Sequence, residues 1–371
     1  MSSKPAAFWS ETEFSRLLDL KLPVIQAPMA GGASTPELVA SVSNSGCLGS
    51  MAAALLSPEK ISAEIALIKT LTSAPFGVNL FVLKEAQVTS ELIARDLARL
   101  QPFRAELGLP TGTIPHKFSE SFEDQLEAVI AARPQVVSFT FGIVSETIVE
   151  RIHLSGGKVI GTATSVAEAQ AWEAKGADMV CAQGAEAGGH RGTFIGTFEQ
   201  SLIGTLALVP QVVDSVKIPV VAAGGIMDGR GVAAAFMLGA SGVQLGTAFL
   251  SCPEAGAHRA WKERVMSSRD TDTRLTRTFS GRPARGIVNN FIERMREFER
   301  DVPTYPVQNA LTSEIRAAAT RAGNTAYMSM WAGQAASLSR GLRATDLIDK
   351  IRLETEELLL KWTQGFQSGR D

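Results

Sequence analysis

The chain has 371 residues, of which 45% are hydrophobic and 20% are charged, and its formal net charge is −2. This near-neutral balance creates no field that would gather nucleic acid or an anionic membrane surface. The N-terminal segment lacks the apolar core of a secretory signal, and no stretch approaches the roughly 20 apolar residues of a membrane span. We therefore expect a cytoplasmic protein with neither nucleic acid nor a membrane as its partner.

The cysteines and histidines are scattered along the chain rather than clustered. Isolated cysteines without a CxxC pair are typical of free, buried thiols, and widely separated histidines do not suggest a zinc site. We therefore predict no disulfide and no metal. The residues concerned are Cys47, Cys181 and Cys252, and His116, His153, His190 and His258.

Short β-rich runs alternate with helical segments from residue 23 to about residue 250. This alternation predicts a parallel sheet with crossover helices, and eight such units match the size of a (β/α)8 TIM barrel, an α/β fold. A doubly wound open sheet is the alternative, but it would require GxGxxG after the first strand, where the chain reads APMAGG. The predicted strands are 23–27, 47–51, 76–81, 136–139, 158–162, 178–182, 219–223 and 242–245.

Local signals mark the ends of several predicted helices. Ser165 and Glu168 have the spacing of a capping box, in which each side chain binds the backbone N–H of the other residue. Gly176 and Gly239 are placed as C-terminal stops just before the next strand. These boundaries support the alternating pattern.

Two stretches interrupt the alternation, one after the third strand at 84–118 and a second after the eighth strand. Extra segments that follow barrel strands lie on the catalytic face. We therefore divide the chain into a barrel core at 1–253, a substrate-side cover at 254–335 and a C-terminal helical segment at 336–371. The cover is predicted to fold over the catalytic face and to contribute Tyr305 to the pocket wall.

The ends of the first, third and sixth strands carry small or neutral polar residues. Ala27, Pro28 and Met29 form a small apolar surface, a ledge, on which a ring could lie. The amides of Asn79 and Gln183 can hydrogen-bond the edge of a flavin ring or a phosphate without adding charge. Strand-end capping is the alternative role of the two amides.

The loop after the sixth strand has the most distinctive sequence in the chain. Gly188 and Gly189 are predicted to lie against a flat ring, with the imidazole of His190 over it, where it could exchange a proton or donate a hydrogen bond. Arg191, which follows, either belongs to the site or pairs with a carboxylate on the surface.

The seventh and eighth strands both end in glycine-containing turns. Gly224 and Gly225 follow one strand, and Gln244, Gly246 and Thr247 end the next. Glycine lets an anion approach backbone N–H groups, and barrels commonly bind phosphate after these two strands. The pairing predicts a phosphate site, and tight turns without a ligand are the alternative.

In this order, the motifs resemble the nitronate monooxygenase family. The resemblance covers residues 23 to about 250, and its most specific pieces are QAPMAG at 26–31, GVNLF at 77–81, SFTFG at 138–142 and GAEAGGHRG at 184–192. The segments YPVQNA at 305–310 and WAGQ at 331–334 extend it into the cover.

The resemblance implies non-covalent FMN and oxidation of alkyl nitronates, with nitroalkanes as a further substrate class, by O2 to carbonyl compounds and nitrite in a detoxification role. The phosphate would lie at Gly225, Gly246 and Thr247, while Asn79, Gln183 and Gly188 match flavin-binding positions and His190 matches the active-site histidine. Thr140 stands where the family often has histidine, which bears on substrate range. Thr162 is the neutral residue expected near the flavin N1–C2 carbonyl. The oligomeric state stays open, with a homodimer among the alternatives.

Two other functions compete with this interpretation. An FMN-dependent enoyl-ACP reductase would share the barrel and a similar histidine loop, but it would use NAD(P)H. A flavin- or phosphosugar-binding barrel without turnover would not need His190. Arg191 and the WAGQ segment favour the monooxygenase over the reductase.

Overall fold

The computed structural model describes residues 9–83 and 88–367, and within them eight parallel strands form the predicted barrel. The predictions for the first eight residues, for 84–87 and for 368–371 lie outside the described residues. Every predicted barrel strand is confirmed, with its ends within two residues of the prediction. The barrel strands are β1 (Val24–Gln26), β2 (Gly49–Ala52), β3 (Phe76–Phe81), β4 (Val136–Thr140), β5 (Lys158–Ala163), β6 (Met179–Gln183), β8 (Val220–Ala223) and β9 (Gly242–Leu245), and the remaining strands are β7 (Gly189–His190), β10 (Thr273–Thr276) and β11 (Ala284–Ile287).

The sheet closes on itself between its first two strands. Neighbouring strands follow the order β1-β9-β8-β6-β5-β4-β3-β2. The circle is completed where the Gln26 N–H donates to the Leu48 carbonyl at 2.9 Å and the Leu48 N–H donates to the Val24 carbonyl at 2.9 Å. Closure leaves no free sheet edge and directs all eight carboxyl ends to one face.

Helices surround the barrel and build the cover. They are α1 (Glu13–Leu17), α2 (Pro36–Asn44), α3 (Pro58–Leu71), α4 (Ser90–Glu106), α5 (Phe122–Ala132), α6 (Glu146–Leu154), α7 (Val166–Ala174), α8 (Thr205–Val213), α9 (Gly229–Met237), α10 (Thr247–Leu250), α11 (Arg259–Met266), α12 (Asn290–Arg294), α13 (Val307–Leu311), α14 (Ser313–Arg321) and α15 (Ala344–Gln367). The predicted stops are confirmed, because Gly176 and Gly239 follow α7 and α9 with positive φ angles of 82° and 91°.

The C-terminal helix occupies the eighth place in the outer layer. Helix α15 packs between α9 and α2, and its Leu347, Ile348 and Ile351 are buried in the same apolar cluster as Val232 of α9 and Leu38 of α2. The sequence division had separated 336–371 from the barrel. We propose that α15 belongs to the barrel and that the insertion between β9 and α15 is the cover.

The two insertions pack on each other over the catalytic face. Phe103 of α4, which follows β3, packs against Phe291 of α12 with ring centroids 4.7 Å apart and the ring planes tilted. The Arg104 guanidinium, which is buried, donates to the Glu314 carboxylate at 2.6 Å. One apolar cluster therefore joins α4 to the segment after β9, as expected for extensions of strand ends on one face.

A small antiparallel sheet joins the cover to the barrel. Its strand order is β10-β11-β7. Strands β10 and β11 belong to the cover, and β7 lies in the loop after β6. His190 is paired with Ala284, and Gly189 with Arg285. The sequence had predicted a loop at these positions, and strand β7 forms only because a distant segment supplies its partner.

Glu168 has a different role from the predicted capping box. Ser165 caps α7 by accepting from the Glu168 N–H at 3.4 Å. The Glu168 carboxylate, however, is fully buried and accepts from the Thr164 N–H at 2.6 Å, from the Thr164 hydroxyl at 2.7 Å, and from the N–H groups of Phe194 and Ile195. It thereby ties the start of α7 to the end of the loop after β6.

We expect Glu168→Ala to lower the free energy of unfolding by about 2–4 kcal/mol, because four donors lose a buried acceptor. The matched control is Glu146→Ala on α6, which removes an exposed ion pair with Lys175 and should change stability by less than about 1 kcal/mol. Denaturant unfolding of both variants measures the difference. Equal effects would show that the Glu168 hydrogen bonds do not stabilise the fold.

Candidate functional site

All sixteen residues predicted for the site line a single cavity of about 860 Å³ at the carboxyl ends of the strands. Its size lies within the range of cavities that bind cofactors and small ligands. The predicted residues around it are Ala27, Pro28, Met29, Asn79, Thr140, Thr162, Gln183, Gly188, Gly189, His190, Gly224, Gly225, Gln244, Gly246, Thr247 and Tyr305. The structure therefore brings the whole set together.

The turns after β8 and β9 lie next to each other at one end of the cavity. Gly224 and Gly225 have φ angles of 118° and 73°, a conformation that favours glycine. The Thr247 hydroxyl accepts from the Gly333 N–H at 2.9 Å, so the WAGQ segment of the cover forms a further side of this end. Gly333 was not among the predicted site residues, although its motif had been noted.

The opposite wall carries a row of neutral hydrogen-bonding groups from three neighbouring strands. The Asn79 amide donates to the Ser138 hydroxyl at 2.9 Å and to the Thr140 hydroxyl at 3.3 Å. The Thr140 and Thr162 hydroxyls are 3.3 Å apart. These groups can hydrogen-bond a polar ring edge without placing a charge beside it.

Gln183 holds the loop after β6 through both ends of its amide. Its Nε2 donates to the His190 carbonyl at 3.0 Å, and its Oε1 accepts from the Gly192 N–H at 2.8 Å. The sequence had suggested direct contact with a cofactor. The side chain lines the cavity, but its hydrogen bonds position the histidine loop.

The two glycines before His190 are required for different reasons. A Cβ at Gly188 would lie 2.6 Å from the Ala332 carbonyl carbon and from the Gly333 nitrogen. The cover backbone can approach this closely only because residue 188 has no side chain. Gly189 has open space around a Cβ but a φ of 74°, so its conformation is the constraint. The predicted contact with a flat ring is therefore not the only reason for this pair.

His190 lies among four aromatic rings. Its ring centroid is 5.3 Å from that of Trp331, 5.5 Å from Phe141, 5.7 Å from Tyr305 and 6.4 Å from Phe81. Two of these rings come from barrel strand ends and two from the cover. The enclosure fixes the plane of the imidazole and keeps water away from most of it.

Ser280 of the cover contacts Nε2 of His190. Its hydroxyl oxygen lies 2.8 Å from Nε2 and 3.1 Å from the Arg282 carbonyl oxygen. We infer that the single hydroxyl proton goes to the Arg282 carbonyl, so that Nε2 carries the ring proton and Nδ1 keeps the lone pair. Within the described part of the chain, Nδ1 makes no hydrogen bond, so its lone pair is available to a bound molecule.

The surroundings of His190 hold its imidazole neutral. Burial lowers its pKa from 6.5 to about 3, and the nearby Arg282 and Arg316 guanidinium groups act in the same direction. A charged imidazolium would have to form in an enclosed space beside two cations. The site therefore presents a neutral imidazole rather than a positive charge at this position.

Two arginines keep the histidine loop in place through backbone carbonyls, and neither pairs with a carboxylate in the described part of the chain. Arg191, only 1% exposed, donates to the carbonyls of Gly184 at 2.6 Å and Ser201 at 2.7 Å, which corrects the surface ion pair considered from the sequence. Arg282 donates to the carbonyls of Arg191 and Thr193. Its guanidinium also lies 4.0 Å from the centroid of the Phe141 ring.

Phe141 has a backbone conformation that is rare for a bulky residue. Its φ is 79°, in the left-handed region, directly after β4. The Arg282 contact and the rings of Phe81 and Tyr305, 4.1 Å and 5.3 Å away, hold its side chain against the histidine. Strain of this kind persists where the surrounding structure over-determines a residue, commonly at functional sites.

Sequence reasoning missed Ser280, Arg282 and Arg316, which all come from the cover. The segment 279–286, FSGRPARG, had been noted only as an interruption between helices. The glycines and arginines of this segment, in an otherwise helical region, were the signal that could have marked it as part of the site. No spacing rule could relate them to His190, because about 90 residues separate the partners.

The described residues contain no group of three histidine, cysteine or acidic side chains placed to hold a metal ion. The three cysteines are free and buried, as predicted. No helix in the ranges 9–83 and 88–367 is long and apolar enough to cross a membrane.

Comparison with known proteins gives consistent matches over nearly the whole chain. The family model described as nitronate monooxygenase matches residues 13–354. A probable nitronate monooxygenase from Staphylococcus haemolyticus is 46% identical over 355 residues, which are 95% of this chain and 99% of the relative. The solved nitroalkane oxidase from Streptomyces ansochromogenes aligns with a TM-score of 0.86 and 39% identity, covering 94% of this chain and 99% of that one. FabK from Thermotoga maritima aligns with a TM-score of 0.76 and 30% identity, covering 96% and 99%.

We expect His190 to remain neutral and protonated at Nε2 throughout the range of pH 5–8, because its pKa of about 3 lies below that range. Imidazole nitrogen NMR shifts of histidine-labelled protein report both the charge and the tautomer, and the spectrum of His190→Asn assigns the signal. In Ser280→Ala, the imidazole loses its fixed partner, so a mixture of tautomers should appear. A wild-type imidazole that becomes charged near pH 6.5 would contradict this description of the site.

Proposed function

The chain belongs to the nitronate monooxygenase family, a family of flavin oxidoreductases, and we propose that it uses non-covalent FMN to oxidise alkyl nitronates with O2 to carbonyl compounds and nitrite. The observation that carries the proposal is the arrangement of one cavity. Paired glycine turns lie at one end, and a neutral histidine with a free lone pair lies among aromatic rings in the same space.

The cavity fits FMN in shape and in chemistry. Gly225, Gly246 and Thr247 would hold the phosphate, because the two glycines have no side chain of their own to keep an anion from the backbone N–H groups. The ring would lie on the ledge at Ala27 with its polar edge towards Asn79, a neutral partner. When bound, FMN supplies the electron acceptor that none of the amino-acid side chains can provide.

The protein's own groups handle the substrate. The Nδ1 atom of His190 can accept the α-proton of a neutral nitroalkane, and Ser280 stabilises the donor nitrogen on the other side of the ring. Tyr305, whose hydroxyl makes no hydrogen bond within the described residues, lines the same space as Thr140. Burial raises the Tyr305 pKa to about 12, so the phenol stays a donor. The aromatic enclosure excludes water from the reacting atoms.

The cofactor part of the proposal predicts about one FMN per purified chain and no FAD. The cover backbone at Gly333 bounds the phosphate end of the cavity, and we expect no adenine pocket there. Extraction of the flavin followed by chromatography identifies it. Recovery of FAD, or a colourless protein that FMN cannot reconstitute, would contradict the proposal.

Anaerobic mixing with ethylnitronate tests the function itself. We expect rapid loss of oxidised-flavin absorbance, and release of nitrite and aldehyde once O2 is admitted. NADH should leave the anaerobic spectrum unchanged. Bleaching by NADH but not by the nitronate would instead favour the enoyl-ACP reductase.

His190→Asn should impose different penalties on two forms of the same substrate. Asparagine keeps a donor but cannot act as a base. Turnover of the neutral nitroalkane should therefore fall by roughly 100-fold or more, whereas turnover of the preformed nitronate should fall only modestly. His153→Asn, a change at a histidine on α6 away from the cavity, is the matched control. FMN content should stay the same, and unimpaired nitroalkane turnover would make His190 a packing residue.

A further inference from the structure

One face of α14 in the cover lines the cavity. Its lining residues are spaced at helical intervals, whereas Ile315 and Ala319 on the other side are buried in the cover core. The lining side chains are small, hydroxylated or cationic rather than apolar. They are Ser313, Arg316, Ala317, Thr320 and Arg321.

Arg316 is fixed in place by three of its five N–H groups. Its Nε donates to the Thr312 hydroxyl at 3.2 Å, and Nη2 donates to the backbone carbonyl of Asn309 at 2.6 Å and to its side-chain oxygen at 3.0 Å. The two N–H groups on Nη1 have no acceptor among the described residues. Since the residue lines the cavity, they are available to a molecule bound there.

No carboxylate compensates this charge. Within the described ranges, neither Arg316 nor Arg282 lies within ion-pair distance of an aspartate or glutamate. Burial lowers the Arg316 pKa to about 10, and the Tyr305 phenol acts in the opposite direction. The guanidinium therefore stays charged at pH 7. A cation without a carboxylate partner, with two N–H groups open to the cavity, can bind an anion there.

The charge acts in the space where the reaction takes place. Arg316 lowers the pKa of His190 and that of Tyr305, so its field reaches both side chains. His190 is neutral and cannot hold a negative charge by electrostatic attraction. The cations that act on His190, Arg282 and Arg316, both come from the cover, and Arg316 is the one that lines the cavity.

We propose that Arg316 binds an oxygen atom of the substrate's nitronate group through Nη1 and is the residue that determines specificity for the anionic form. The inference rests on the proposed function and deepens it. The two free N–H groups share one nitrogen and point apart, so Nη1 donates to one nitronate oxygen in a charge-assisted hydrogen bond. With a neutral nitroalkane, the same contact stabilises the charge that develops as the α-proton moves to Nδ1 of His190.

The test compares wild type, Arg316→Gln and Arg316→Lys on ethylnitronate and on neutral nitroethane. In Arg316→Gln, we expect KM for the nitronate to rise about 10- to 100-fold, the loss expected for a charge-assisted hydrogen bond. Arg316→Lys should recover part of this loss. For neutral nitroethane, kcat should fall with little change in KM, because the charge is present only as the proton leaves.

Nitrate serves as an unreactive planar probe of the same contact. We expect nitrate to inhibit wild type in competition with ethylnitronate, and its inhibition constant should rise in Arg316→Gln by a similar factor. Adding guanidinium ion to Arg316→Ala should restore part of the nitronate activity. A structural defect would not respond to nitrate or guanidinium in this way, and equal FMN content among the variants checks the fold.

Arg259→Gln on α11 is the matched control, since it removes the same charge from an 89% exposed side chain of the cover. Its KM values should equal those of wild type. An unchanged KM in Arg316→Gln, in an enzyme that oxidises nitronates, would overturn the role of Arg316 and leave the proposed function standing. A wild-type protein that does not oxidise nitronates, but shows an Arg316-dependent spectral change with nitrate, would overturn the function and leave the anion site.

Discussion

The site depends on one backbone interaction, the pairing of β7 with β11. It joins Gly189 and His190 to a cover segment almost a hundred residues further along the chain. The same cover segment carries Ser280 and Arg282, so a single register places the tautomer-selecting hydroxyl and the guanidinium behind the imidazole. A slip of one residue would turn His190 to the opposite face of the strand and separate it from both.

The barrel and the cover contribute different kinds of chemistry. The strand ends of the barrel provide glycine turns and neutral amides and hydroxyls, which suit a cofactor held through its backbone contacts and ring edge. The cover provides the charged groups nearest the histidine, Arg282 and Arg316, and the phenol of Tyr305. Substrate preference can therefore change with these three cover side chains while the turns at the strand ends stay the same.

The barrel and the wall of the cavity could be predicted from sequence because their signals are local. Apolar runs and helix ends located the strands, and the ends of parallel strands necessarily share one face, which gathered Asn79, His190 and Gly225. Strand β7 could not be found in this way, since two residues make a strand only when β11 supplies the partner. Glu168 was misjudged for the same reason: its acceptor role is set by the backbone of Phe194 and Ile195, which local spacing does not reveal.

The neutral histidine and the arginine without a carboxylate partner among the described residues line one cavity. The aromatic rings that remove water from His190 make its protonation costly, and Arg316 lies on the cover side of the same space. An imidazole that is neutral at rest and a guanidinium that stays charged then act on the same substrate. Loss of a proton to His190 moves positive charge towards the imidazole just as negative charge grows on the substrate, so the anion formed is held between two cations. Thr140, where the family often has a second imidazole, leaves that balance undisturbed because its hydroxyl adds no charge to the pocket.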